Sequence, residues 1–200
     1  MAGSDGGDHV SVFRLELVPS DGPHERHPDD FYATPGWAVR AILPYLPHVS
    51  AFDPCAGDGA IVAEMCDAGW SCAGVELDFV RASVALDKRG VEIVCGDGLA
   101  RISDPDVALP LVVMNPPYRC ADEWVRKAVN YGRTVAALLR LNFLGTQGRA
   151  ELFAAVGIPD TYVLSKRPSF LANGATEATE YAWFVWGPGR GGRIQRLEVP

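Results

Sequence analysis

Asn115-Pro116-Pro117-Tyr118 gathers three groups that suit chemistry on a flat acceptor bearing an NH2. The Asn side-chain oxygen and the carbonyl of a stiff Pro-Pro turn are two fixed hydrogen-bond acceptors, and the Tyr ring beside them is a stacking face. An exocyclic amine on adenine, or a carboxamide, is a poor nucleophile because its lone pair is delocalised into the π system. Accepting both amine hydrogens from fixed positions favours a more pyramidal nitrogen, and preorganised acceptors need no reorganisation in the transition state. Asn is no strong base, so the motif implies direct attack on an electrophile that is already reactive. A Tyr ring at this place suits a base flipped out of its duplex.

The apolar run Leu111-Val112-Val113-Met114 just before the motif reads as a buried strand. That puts the motif at a carboxyl strand end, where open α/β sheets bind their ligands. Upstream, Val49-Ser50-Ala51-Phe52 reads as a strand, followed by Asp53-Pro54-Cys55-Ala56-Gly57-Asp58-Gly59 and a helix from near Ala60. Gly57 and Gly59 permit a sharp turn and close approach of a ligand. A dinucleotide site offers amides to a pyrophosphate; here Asp53 and Asp58 add negative charge, which suits an ammonium or sulfonium ligand better. Ser71-Cys72-Ala73-Gly74-Val75 reads as a second strand, with Glu76 and Leu77 at its end and Asp78 next. A carboxylate there can hold both hydroxyls of a ribose. Val91-Glu92-Ile93-Val94 reads as a third strand, followed by Cys95-Gly96-Asp97-Gly98, whose Asp97 can accept from an adenine amine.

With these four strand ends the chain resembles the class I S-adenosylmethionine-dependent methyltransferases, and among them the Asn-Pro-Pro-Tyr amino-methyltransferases, most closely the DNA N6-adenine methyltransferases. The resemblance covers residues 31–186. It implies a Rossmann-like, doubly wound α/β fold with a mostly parallel seven-stranded sheet and an antiparallel edge hairpin. It implies S-adenosylmethionine as cofactor, with Asp53, Pro54, Ala56, Gly57 and Gly59 at the methionine end. Glu76 and Leu77 would meet the ribose, and Asp97 and Gly98 the adenine. Asn115, Pro116, Pro117 and Tyr118 would be catalytic. Phe31-Tyr32-Ala33-Thr34-Pro35, ahead of a helix over residues 36–46, looks like the motif that closes over the methionine end, which adds Tyr32, Thr34 and Pro35. Thr34-Pro35 also reads as a helix cap followed by Pro at the first helical position. RNA adenine and protein glutamine are alternative acceptors for the same residues, and a cofactor-binding subunit without turnover is the alternative of another class. Glutamine methyltransferases usually carry a helical substrate domain in front, for which the chain has no room.

The five cysteines, at 55, 66, 72, 95 and 120, include no C-x-x-C pair and read as reduced thiols. A pyrimidine C5 mechanism is disfavoured, because no Cys nucleophile follows Pro116. His24 and His27 lie near Glu25, Asp29 and Asp30 in a polar segment without metal-ligand spacing, so no metal is expected. No apolar run approaches the roughly 20 residues that span a bilayer. The amino terminus lacks the regions of a signal peptide, so a cytoplasmic protein without membrane contact is expected.

Two hundred residues with 48% hydrophobic content suit one domain with a doubly covered sheet. Residues 1–28 read as a flexible segment, within which Val10 to Val18 alternates like an added edge strand, and residues 29–200 as the catalytic domain. The net charge of −7 argues against a broad nucleic-acid-binding face. Its distribution is uneven: the first hundred residues carry 16 acids and 6 bases, the second hundred 9 and 12. Among Arg119, Arg126, Lys127, Arg133, Arg140, Lys166 and Arg167, the best placed for phosphates are Arg119 beside the motif and Lys166-Arg167 at the start of a long loop that also holds Phe170. A helix over 121–131, a strand over 135–141, a helix over 148–156 and strands at 162–164 and 181–186 use the rest of the chain. No separate target-recognition domain is left, so a short DNA site, a dimer or a recognition partner is expected.

Overall fold

A computed structural model describes residues 33–104, 106–168 and 179–198. Tyr32, Phe170, the histidine-containing segment and the 10–18 alternation lie outside them.

In chain order the elements are α1 (Gly36–Ile42), β1 (Ala51–Asp53), α2 (Ala60–Asp67), β2 (Cys72–Glu76), α3 (Phe79–Arg89), β3 (Val94–Cys95), α4 (Gly98–Ile102), β4 (Leu109–Met114), α5 (Ala121–Tyr131), β5 (Gly132–Arg140), α6 (Ala150–Val156), β6 (Asp160–Leu164), β7 (Tyr181–Trp186) and β8 (Ile194–Leu197). They form one sheet in the order β3-β2-β1-β4-β5-β7-β6-β8. Neighbours from β3 to β5 run parallel, β7 is antiparallel to both β5 and β6, and β8 is parallel to β6.

Period-two alternation divides the buried strand residues between two layers. Val112 and Met114 of β4, Val135, Ala137 and Leu139 of β5 and Phe184 of β7 meet Leu99, Ile102, Trp124, Val125 and Leu152 from α4, α5 and α6. Leu111, Val113, Ala136, Leu138 and Trp183 meet Val39, Ile42, Ile61 and Met65 from α1 and α2. In α5 the buried residues Ala121, Trp124, Val125 and Ala128 follow helical spacing, with Asp122 and Glu123 in the first turn, where the helix dipole favours acids. The Trp183 indole donates to the Ala38 carbonyl at 2.8 Å and so ties α1 to the sheet.

The expected doubly wound, mostly parallel sheet is present with three differences. It has eight strands rather than seven, so the hairpin partner β6 is covered by β8 instead of forming the edge. Ile194, Gln195 and Arg196 are exposed and held by backbone pairing to Thr161, Tyr162 and Val163, so Leu197 is the one buried residue of the strand. The third strand is shorter than residues 91–94: only Val94 and Cys95 pair, while Ile93 turns into a small core with Val62 and Ala85. Finally, β5 begins at Gly132, straight from α5 and earlier than residue 135. Among the described residues no helix is long and apolar enough to cross a membrane.

Asp160 anchors the β7–β8 connection to β6. It is fully buried and accepts from the Gly191 and Arg193 amides at 3.0 and 3.1 Å, with Arg190 at 3.5 Å. Burial pushes its carboxyl up, but these donors and the Arg193 charge outweigh that and hold it below the ordinary carboxylate range. A depressed value contributes stability above the unfolded pKa that is lost as pH falls through the folded one. Removing one partner of a buried pair costs about 3 kcal/mol or more, so Asp160→Ala is expected to lower the urea midpoint by that equivalent at neutral pH. The gap to the parent should narrow in acid; a constant gap down to the acid limb would overturn the electrostatic account.

Candidate active site

The chain passes from β1 outward through β2 to β3 and then crosses back to β4, so β1 and β4 lie side by side with their connections leaving in opposite directions. Ligands of open α/β sheets bind in the crevice at such a point. A cavity of about 390 Å3 lies there, within the range of small-molecule sites.

Asp53, Pro54, Ala56 and Gly57 line the cavity from the end of β1. Glu76 and Leu77 line it from β2, Asp97 and Gly98 from the β3 loop, and Asn115, Pro117 and Arg119 from β4. Thr34 closes it from the segment before α1. Of the expected site residues, Pro35, Gly59, Pro116, Tyr118, Lys166 and Arg167 are not part of the wall. Gly59 acts in the turn, with φ 79° as the residue before α2, a conformation that favours glycine. Gly98 is needed for close approach, since a Cβ there would lie 1.7 Å from the Pro54 carbonyl oxygen.

The carboxylates differ in what they have left to bind. Glu76 accepts from the Gly57 amide through Oε2 and from the Asp78 amide through Oε1, each at 2.9 Å, so it joins the first two loops. A carboxylate has about four acceptor positions, which leaves capacity for hydroxyls. Asp97 caps α4 through Oδ1, taking the Leu99 and Ala100 amides at 2.9 and 3.2 Å. Asp58 differs from the expectation of charge freely available to a cation: its Oδ2 takes Arg89 at 2.9 Å and Lys88 at 4.0 Å, both from α3, while its Oδ1 is buried without a hydrogen-bond partner. Asp53 is 1% exposed; Oδ1 accepts from the Cys55 amide at 3.1 Å, and Oδ2 is buried without a hydrogen-bond partner. That orphaned oxygen and the hydroxyl capacity of Glu76 fit a ligand with a cationic end and a ribose.

Thr34 is not the helix cap. The residue at the cap of α1 is Pro35, with no side-chain cap bond, because the helix begins at Gly36 and Pro35 is not its first helical residue. The Thr34 hydroxyl instead accepts from Asn115 Nδ2 at 3.1 Å, and the Tyr118 hydroxyl donates to Asn115 Oδ1 at 3.1 Å. Two hydroxyls thus hold both ends of the amide. Lys166 stands 5.5 Å from the Trp37 ring, and Arg167 pairs with Glu180. Arg81 is not among the cations expected at the site, and Arg140 is named for phosphates but not preferred. Arg81 lines the cavity, 3.9 Å from Glu76, and its place one turn into the helix after the ribose-type acid was the available signal. Arg140 lies over the Tyr118 ring, a contact set by the register of β5 and without a local signal.

No family model and no curated protein sequence matches the chain. Solved structures do. A candidate RNA methyltransferase from Pyrococcus horikoshii superimposes with a TM-score of 0.61 at 15% identity, over 86% of this chain and 92% of that one. The 23S rRNA methyltransferase ErmE gives 0.58 at 15%, over 80% and 71%. The fold is that of class I methyltransferases. A candidate class I S-adenosylmethionine-dependent methyltransferase from Listeria monocytogenes gives 0.56 at 13%, over 81% of this chain, which spans 62% of that protein's length.

Burial raises the Asp53 carboxyl from 3.8 to about 7, with the Glu76 charge adding to the rise. The folded value lies above the unfolded one, so the cost to stability is absent below about pH 4, grows towards pH 7 and is full above it. At about 1.4 kcal/mol per pKa unit it reaches a few kcal/mol. Protein prepared without ligand should therefore lose melting temperature between about pH 4 and pH 7, and Asp53→Asn should lose less. Equal losses in the two proteins would rule out this role of burial.

Proposed function

We propose that the chain is a methyltransferase that transfers a methyl group from S-adenosylmethionine to the exocyclic N6 amine of adenine in DNA. The observation that carries the reading is that Asn115 shares one cavity with Asp53, Glu76 and Asp97. An acceptor at the Asn end and a cofactor at the carboxylates would therefore meet. Bound there, the cofactor would supply a methyl group on sulfonium, which the N6 lone pair would take up as the C–S pair stayed with sulfur and the N6 proton passed to water.

The residues of the chain divide the work. Asp53 would lie beside the cationic end, Glu76 would accept from the ribose hydroxyls, and Asp97 and Gly98 would border the adenine of the cofactor. Asn115 Oδ1 and the Pro116 carbonyl accept the two amine hydrogens of the target, while Thr34 keeps the amide from turning. Pro117 stiffens the turn, and the Tyr118 ring stacks on the base. Arg119, at the cavity mouth, suits a phosphate. Lys166 and Arg167 are exposed and would reach phosphates farther out, and Phe170, outside the described residues, would touch the acceptor.

RNA adenine is the second reading, favoured by the fold neighbours that are named for RNA substrates. Purified chain incubated with S-adenosylmethionine and separate DNA, RNA and protein pools, followed by mass spectrometry of nucleosides and peptides, separates the two. 6-Methyladenine in DNA is the expected product. Asn115→Ala should lower its rate by about a hundredfold or more, the loss seen when a preorganised transition-state partner is removed. Methylated RNA with DNA untouched would replace the DNA reading, and a product formed equally by the variant would refute the role of Asn115.

A further inference from the structure

Arg140 ends β5 opposite Tyr181, its register partner at the start of β7. Its guanidinium carbon lies 5.1 Å from the centroid of the Tyr118 ring, and its Nε donates to the Tyr181 hydroxyl at 3.2 Å. Tyr181 itself stands 5.8 Å from the Tyr118 ring, tilted by 51°. The ring is thus bordered by one group that is fixed and one that can move. Tyr181 is wholly buried in the sheet, whereas Arg140 is half-buried at a strand end. A guanidinium is planar and carries NH2 groups, so it covers an aromatic face much as a base does. The Tyr118 hydroxyl meanwhile occupies Asn115 Oδ1. Both partners for an incoming amine-bearing base, ring and amide oxygen, are engaged by the chain itself.

The geometry points to Arg140 as the specificity-determining residue of the acceptor site: it covers the Tyr118 ring until a phosphodiester draws it off, so adenine within a nucleic acid enters and free nucleoside does not. This rests on the adenine reading and deepens it. Moving from ring to phosphate exchanges a cation–π contact for a charge-assisted, bidentate one. A base without a phosphate must displace a stacked and hydrogen-bonded cation with no such compensation. Lys166 stands over the Trp37 ring and Arg167 pairs with Glu180, whereas Arg140 stands over the Tyr118 ring.

Two variants separate charge from shape. Arg140→Gln keeps a planar polar group without charge, and Arg140→Lys keeps charge without the planar face. For each, kcat and KM are measured on short adenine-containing DNA and RNA oligonucleotides and on adenosine, with oligonucleotide binding followed against salt by fluorescence anisotropy. In Arg140→Gln the oligonucleotide kcat/KM should fall about tenfold and the salt slope shrink by about one, while adenosine holds or gains. Arg140→Lys should restore the slope without restoring the discrimination. A parallel fall on all acceptors with an unchanged slope would mean a structural role and overturn the inference. Wild-type protein that already takes adenosine as well as an oligonucleotide would overturn it too, with the adenine reading intact. Wild-type protein that methylates no adenine in any acceptor would remove that reading, and this inference with it.

Discussion

Parallel pairing of β1 with β4 is the constraint on which the site depends. Their loops leave in opposite directions, so no connection crosses the crevice at their carboxyl ends. The same pairing makes β1 and β4 central, buried on both faces, and their short ladder holds Asp53 and Asn115 at neighbouring ends of one rigid sheet. Loops need only be clamped to it. Glu76 does this for the first two, through the Gly57 and Asp78 amides, and Gly98 lets the third lie against the Pro54 carbonyl.

The acids of the chain serve opposite ends. Asp160 and Asp58 are each paired with arginine inside the protein. Asp53 is buried against solvation with one oxygen orphaned. Such a group destabilises the chain by itself and favours a cationic partner, as strained or unsatisfied groups at functional sites do. The net charge of −7 therefore says little about the site, because the charges that matter are sorted by burial and pairing.

Around Asn115 the chain satisfies itself. Thr34 and Tyr118 hold both ends of the amide, while Arg140 and Tyr181 border the Tyr118 ring. Contacts of this kind keep catalytic groups in low-energy positions, and they set a threshold that an acceptor must exceed. The threshold is a matter of difference: a phosphate-bearing acceptor offers Arg140 a better partner, and a neutral one does not.

Local pattern carried much of this protein. The apolar run 111–114, the glycines at 57 and 59 and the acids at 76 and 97 follow rules that act within a few residues, so the order of strands and helices and most of the cavity wall were legible in the sequence. β8 was not, because an exposed edge strand is held by backbone bonds that any side chains allow. Thr34, a helix cap by its neighbours, became the partner of Asn115 through a contact 81 residues apart. The unpaired oxygen of Asp53, the pairing of Asp58 with arginine and the placing of Arg140 over Tyr118 likewise arose only when strands distant in sequence came into register. By itself the sequence determined which chemical groups stand at which strand ends, since that needs only local periodicity. Which of those groups are left to bind a ligand was decided by the tertiary structure, because burial and pairing depend on neighbours that no short window of sequence contains.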